Sequence, residues 1–168
     1  MRHEKKHQSN KRKSNRHSNN NRRNSPPKKH FTNKISDHFS KRDFTCKESK
    51  KFKISLGLVG ALEELRSMLK KRIEIIKGYE CPEVAEKKGK LKKNYHTMGL
   101  AADIKIEGIS PRELFLAAEK IDAFHGLGLN LDDSYIHVDT RKTERLCWVE
   151  QNDTDIELTD DNRSRYFA

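Results

Sequence analysis

From Ser55 onward the apolar residues of this chain fall into regular periods. Leu58, Leu62, Leu65 and Leu69 recur three or four apart, with Glu63, Glu64, Arg66, Lys70 and Lys71 largely on the other side. That pattern predicts an amphipathic helix of roughly four turns. Arg72-Ile73-Glu74-Ile75-Ile76 then reads as a strand that stops at Gly78, and 79–95, rich in Lys and Glu with Pro82 and Gly89, reads as an exposed loop. Leu100–Ile106 alternates with a period of two, as a second strand does. Ser110-Pro111-Arg112-Glu113 has the form of a helix start. Ser110 can cap, Pro111 suits the first helical position and Glu113 can close a capping box. This helix is expected to reach about Phe124 and to bury Leu114, Ala117, Ala118 and Ile121. Gly126–Leu131 and Tyr135–Asp139 complete the set as two short strands joined by Asp132-Asp133-Ser134. The fold class that results is α+β, with helices packed on one face of a small, mainly antiparallel sheet.

Residues 1–30 do not belong to this pattern. They hold eleven Lys/Arg, one acid (Glu4) and four His, with no aliphatic or aromatic residue after Met1. Such a segment has no apolar surface to offset the entropy of ordering it, so a disordered basic arm is expected. It carries +10 of the chain's +11, so the high pI belongs to the arm and the rest is close to neutral. The first apolar residues after Ser25-Pro26-Pro27 are Phe31, Ile35, Phe39 and Phe44, which places the folded domain at 31–150. The end, 151–168, is acidic and is expected to fray or to pair loosely with the arm. No apolar run approaches the ~20 residues of a membrane span, and no secretory signal is seen at the N-terminus, so the chain is expected to be cytoplasmic as synthesised. Cys46, Cys81 and Cys147 form no disulfide framework and read as isolated reduced thiols.

Strand alternation brings three polar residues to one place. In 100–106 the aliphatic side chains share one face, which leaves Ala101, Asp103 and Lys105 on the other. In 135–139, Ile136 and Val138 oppose Tyr135, His137 and Asp139. If both aliphatic faces meet the helices, Asp103 and His137 project together from the open face. Gly99 lets the short loop before the strand fold back so that His96 reaches the same point. Two imidazoles and a carboxylate suit zinc, and a fourth, open position is the arrangement of a catalytic site. A His beside a strand is more often a satisfied structural residue, and an Asp on an open sheet face is usually just solvated. Spacing alone therefore leaves both readings open.

His96-Thr97-Met98-Gly99-Leu100-Ala101-Ala102-Asp103, followed some thirty residues later by Ile136-His137-Val138-Asp139, resembles the M15 family of zinc D-alanyl-D-alanine carboxypeptidases and related peptidoglycan endopeptidases. Phe39-Ser40, Asp43-Phe44 and Cys46 resemble the family's opening segment, Leu62-Glu63 with Leu65-Arg66 its first helix, and Gly78-Tyr79 its Gly-Tyr-Arg turn. The likeness covers about residues 36–148. It implies a Zn2+ cofactor held by His96, Asp103 and His137, and peptidoglycan peptide stems as substrate. The chain departs from the family at three positions. Glu80 stands where the family's substrate-holding Arg is found, and a carboxylate cannot do an electrophile's work. Ser134 stands where an acidic general base is often placed, which turns attention to Asp133 or Asp132. Asn94 replaces a Ser. The candidate site is therefore His96, Asp103 and His137 as metal ligands, Asp133 and Ser134 at the position of the base, and Glu80 and Asn94 beside the substrate.

The leading expectation is zinc-dependent hydrolysis of peptide bonds in peptidoglycan, by a carboxypeptidase or an endopeptidase acting at the cell wall. The alternative is a catalytically weakened zinc-fold protein that binds cell-wall or other anionic polymers through the arm. A nucleic-acid binder is a weaker reading, because the arm lacks interleaved aromatics for base stacking. Deleting residues 1–30 should leave folding and metal content unchanged and weaken binding to anionic polymers, an effect that fades as salt rises. Circular dichroism and polymer binding at two salt concentrations test this, and loss of the domain's fold would overturn the reading of the arm.

Overall fold

A computed structural model describes residues 33–167, so the basic arm lies outside the described residues. The elements in chain order are α1 (Lys41–Phe44), α2 (Leu56–Leu69), β1 (Glu74–Lys77), α3 (Pro82–Lys87), α4 (Tyr95–Met98), β2 (Ala101–Lys105) and α5 (Pro111–Ala118), then β3 (Gly126–Asn130), β4 (Tyr135–Asp139), β5 (Leu146–Gln151), β6 (Thr154–Glu157) and α6 (Asp160–Phe167). The strands form one sheet in the order β1-β2-β4-β3-β5-β6. Its pairings are antiparallel except for β3 with β5. The class is α+β, as expected.

One face of the sheet is apolar because the strands alternate as read. Ala102, Ile104, Leu127, Leu129, Ile136, Val138 and Val149 are all buried in a single core with Leu58, Leu62 and Leu65 of α2 and Leu114, Phe115 and Ala118 of α5. Each of the Val, Leu, Ile and Phe side chains among these contributes about 1.5–3 kcal/mol on leaving water. α2 starts where Ser55 accepts from the Gly57 N–H at 3.2 Å. At the start of α5 the capping box forms: Ser110 N–H donates to Glu113 at 2.9 Å and Glu113 N–H to the Ser110 hydroxyl at 3.2 Å. α5 stops at Ala118, short of the expected Phe124. Beyond it the chain turns through bonds from Ile121 N–H to Ala118 and from Phe124 N–H to Ile121. These three-residue steps still bury Ile121 and Phe124, so the core is reached without a longer helix.

Two stretches differ from the sequence reading. The span 79–95 is not an open loop. Pro82 opens α3, in the first-turn position where its missing N–H costs nothing, and Glu80, Cys81 and Ala85 are buried. The acidic end also folds, and the boundary expected at 150 would cut a hairpin in two. Asn152 and Asp153, both at positive φ, make the two-residue turn between β5 and β6, which suits the twist of paired strands. α6 carries Asp160 and Asp161 in its first turn, where the helix dipole favours acids. It packs back on α5 through the Arg163–Glu119 ion pair, an Arg112 Nε bond to the Tyr166 carbonyl at 2.6 Å, and Phe167 against Phe115 with ring centroids 5.1 Å apart. No helix among the described residues is long and apolar enough to cross a membrane.

Removing residues 159–168 should lower the thermal midpoint by several degrees, since it uncovers Phe115 and breaks the ion pair to Glu119. Thermal denaturation of the shortened chain checks this; an unchanged midpoint would show that α6 adds nothing to the fold.

Candidate metal centre

The site is one rung of the sheet. Across adjacent strands Asp103 pairs with His137, His137 with Gly128, and Gly128 with Trp148. Directly opposed residues project from the same face, and here that face is turned away from the core. His96 arrives from the side. Asn94 caps the single turn of α4 by accepting from Thr97 N–H at 3.0 Å, and Gly99 ends it at φ 73°, a conformation that glycine adopts without strain. The fold-back expected at Gly99 is thus present, with a helical turn in place of a loop.

His96, Asp103 and His137 each bring one donor atom into a group whose members lie within 4.8 Å of one another. Asp103 Oδ1 is 3.2 Å from His96 Nε2 and 2.9 Å from His137 Nδ1. Tetrahedral bonds of about 2.0–2.1 Å separate zinc ligands by about 3.3 Å, so the donor set fits the ion. The outward nitrogens are held as well. His96 Nδ1 donates to the Gly78 carbonyl at 2.8 Å; a carbonyl only accepts, so a hydrogen sits on Nδ1, and Nε2 is the nitrogen turned to Asp103. His137 Nε2 lies 3.2 Å from Asp139 Oδ2, which orients that ring with Nδ1 inward. Backbone carbonyls and carboxylates behind imidazoles are the usual means of fixing metal-binding rings.

Asp139 is in turn gripped by Arg141, through Nε to Oδ1 at 2.8 Å and Nη2 to Oδ2 at 2.6 Å, and the guanidinium lies 4.4 Å above the Tyr95 ring. Burial works against the charge of Asp103, but the two imidazoles outweigh it and hold its carboxyl below the ordinary range. Burial likewise opposes the charged form of His137, and Asp103 and Asp139 together outweigh it and raise the imidazole. Burial, with the charges of Asp103, Glu150 and Asp133, pushes the Tyr135 phenol up, so it remains a neutral donor.

The cluster opens on a cleft of about 600 Å³ lined by Lys77, Asn94, Tyr95, Tyr135, Trp148 and Glu150 among others. Two glycines make room for its support. A side chain on Gly128 would meet the Trp148 indole at 2.5 Å, and one on Gly126 would collide with the Asp139 carboxylate. Trp148 thereby lies beside His137, ring centroids 5.2 Å apart.

The remaining residues singled out from sequence are placed differently. Asp133 and Ser134 are exposed in the β3–β4 turn and are not among the cleft's lining residues. Ser134 has φ 56°, and Asp133 N–H is tied to Asn130 Oδ1 at 2.6 Å. Asn94 does line the cleft, but its side chain is occupied in capping α4 and in a 2.9 Å bond to the Leu91 carbonyl. Glu80 is 2% exposed and lies outside the cleft lining, so it does not confront a substrate. The acids that do line the cleft are Glu150, Asp153 and Asp155 of the β5–β6 hairpin. The alternation around Trp148 and the Asn152-Asp153 turn were the signals that could have found them.

Asp139→Asn should leave a folded protein that holds zinc about 10- to 100-fold more weakly, because His137 loses the carboxylate that orients it. Competition with a chromophoric chelator measures this, and wild-type affinity in the variant would show that Asp139 does not set the ring.

A family model described as Peptidase M15 matches residues 29–139. The peptidoglycan L,D-endopeptidase MepK of Escherichia coli K12 is 33% identical over 111 residues, which cover 62% of this chain and 59% of that protein. The proteins of the same name in Escherichia coli O157:H7 and Shigella flexneri match to the same extent. The chain thus spans about three-fifths of the length of these relatives. The family match takes in well over half of the chain, from before α1 to the end of β4, with His96, Asp103 and His137 all inside it; the chain belongs to the peptidase M15 family.

Proposed function

We propose that this protein is a zinc-dependent peptidase that cuts peptide bonds inside bacterial peptidoglycan, as an endopeptidase. The observation that carries this reading is the convergence of His96, Asp103 and His137 at the floor of an open cleft, with the far side of each imidazole already held. Kinship with proteins named as peptidoglycan L,D-endopeptidases supplies the substrate class. Arg141, which lines the cleft, is held by Asp139, and the relatives' own name favours interior bonds over terminal ones.

In this reading His96 Nε2, Asp103 Oδ1 and His137 Nδ1 hold the ion. When bound, zinc supplies Lewis acidity that lowers the pKa of a water and polarises a carbonyl. Glu150 is the general base in place of Asp133. It is half-buried on β5, two residues beyond Trp148 and on the same face of the strand, and it lines the cleft. It takes the proton of the attacking water and returns it to the leaving nitrogen. Tyr135, kept neutral, offers its O–H to the peptide backbone, and Trp148 forms an apolar wall against which the peptide lies. The carboxylate of Glu80, buried away from the cleft, presents no repulsion to the substrate, which removes one ground for reading the enzyme as weakened.

The purified protein should hold about one zinc per chain and release soluble muropeptides from peptidoglycan. Glu150→Gln should lower turnover by ~100- to 10,000-fold with zinc retained, while Asp133→Ala should act like the wild type. Metal analysis with chromatography of digests reads both. A folded wild type that binds no added zinc would refute the metal assignment, and a large loss in Asp133→Ala would return the base to the turn.

A further inference from the structure

The edge strand β1 contains one residue too many. Its pairing with β2 runs Glu74 to Lys105 and Ile75 to Ile104, then passes from Ile75 to Lys77, which stands opposite Asp103. Ile76 is therefore a bulge. A bulge of this kind re-aims the side chain that follows it. In regular pairing Ile76 would face Asp103 and Lys77 would point to the core side. With the bulge, Lys77 joins the rung of Asp103 and His137 and lines the cleft.

The ammonium is also held from behind. Lys77 Nζ lies 3.1 Å from Oε2 of the buried Glu80, and the other oxygen of Glu80 is 3.2 Å from Lys88 Nζ. The contact with Glu80 is an ion pair, since Oε2 has no hydrogen-bond partner. Among the described residues no other group accepts from Lys77, so its N–H donors remain for a ligand. Arg141 differs in this respect, since its guanidinium is engaged by Asp139. Of the cations that line the cleft, Lys77 is the one that stands opposite Asp103 in the sheet, and its ammonium is paired with a buried acid.

We propose that Lys77 is the electrophilic residue of the site, donating a charge-assisted hydrogen bond to the scissile carbonyl oxygen, and that Glu80 is its positioning residue. This rests on the peptidase reading above. The acid at position 80 then has a physical account: it holds a lysine three residues earlier at the edge of the cleft. In the reaction the oxygen of water adds to the carbonyl carbon while the π pair moves onto the carbonyl oxygen, facing Lys77. That pair returns as the carbon–nitrogen bond breaks, and the proton taken by Glu150 passes to the amine. Lys77 keeps its own proton throughout. Because its charge is balanced by Glu80, the pair suits the partial charge of an amide oxygen better than a full carboxylate, in line with cleavage of interior bonds.

The test compares zinc-loaded wild type, Lys77→Met, Lys77→Arg, Glu80→Gln and the double variant Lys77→Met/Glu80→Gln. Zinc content of Lys77→Met should match the wild type, while its thermal midpoint falls because buried Glu80 loses one of its two cations, and recovers in the double variant. Its kcat on peptidoglycan fragments should fall ~100- to 1,000-fold with KM nearly unchanged, the size of effect seen when an oxyanion donor is removed. Lys77→Arg should recover much of that loss. Glu80→Gln should lower kcat in the wild type and have no further effect once Lys77 is gone, as expected for two residues acting as one unit. Independently of turnover, binding of a phosphinate pseudo-dipeptide, which imitates the tetrahedral carbon, should weaken at least tenfold in Lys77→Met. A wild type that turns over beside a Lys77→Met variant equal to it in kcat and phosphinate affinity overturns the Lys77 assignment alone. A zinc-loaded wild type that neither cleaves nor binds the phosphinate overturns the peptidase reading and this assignment with it.

Discussion

The structure turns on a single carboxylate. Asp103 is buried on a central strand between two imidazoles, 3.2 Å from one and 2.9 Å from the other. A charge taken out of water is costly unless it is paired and hydrogen-bonded, and Asp103 meets that demand only where β2 and β4 pair in this register and α4 delivers His96. A slip of one residue would turn Asp103 and His137 into the core and Ile104 and Ile136 out of it. The apolar packing of the sheet against α2 and α5 and the assembly of the polar cluster therefore select the same alignment. The two imidazoles hold the Asp103 carboxyl below the ordinary range, and Asp103 with Asp139 raises the His137 imidazole.

From that centre a chain of polar contacts runs outward in two directions. One leads from His96 to the Gly78 carbonyl and so to the turn that carries Tyr79 and Glu80. The other passes through His137 to Asp139, Arg141 and the Tyr95 ring. Tyr95 belongs to the same turn of α4 as His96, so the second chain closes on itself. The rings are thereby fixed on both sides, and little reorganisation is left for the moment at which a cation or a peptide arrives.

The convergence of His96, Asp103 and His137 was legible because strand alternation is a strict two-residue code, and because both strands carry aliphatic residues on every second position. The start of α5 at Ser110-Pro111 was legible for a similar reason, since capping is local chemistry. What escaped was non-local. Nothing in the residues around Glu80 tells that Lys77 and Lys88 flank it, and without those partners a carboxylate at that position reads as a surface acid. The bulge at Ile76 depends on which strand lies alongside, and the placing of Asp133 outside the cleft depends on the tilt of a turn whose Ser134 adopts positive φ. The acidic composition of 151–168 concealed a hairpin and a helix whose few apolar residues, Leu158, Tyr166 and Phe167, pack against the core.

The parallel pairing of β3 with β5 has a consequence for how such a cleft can change over time. His96, Asp103 and His137 all lie before the end of β4, where the family match also stops, whereas Trp148, Glu150, Asp153 and Asp155 belong to a hairpin that follows in the chain and lies along the outside of β3. The floor and one wall of the cleft thus come from separate, consecutive segments of the chain. The register that gathers the two imidazoles and Asp103 belongs to the first segment, and the proposed base and the apolar wall to the second, so the two can vary independently along the chain.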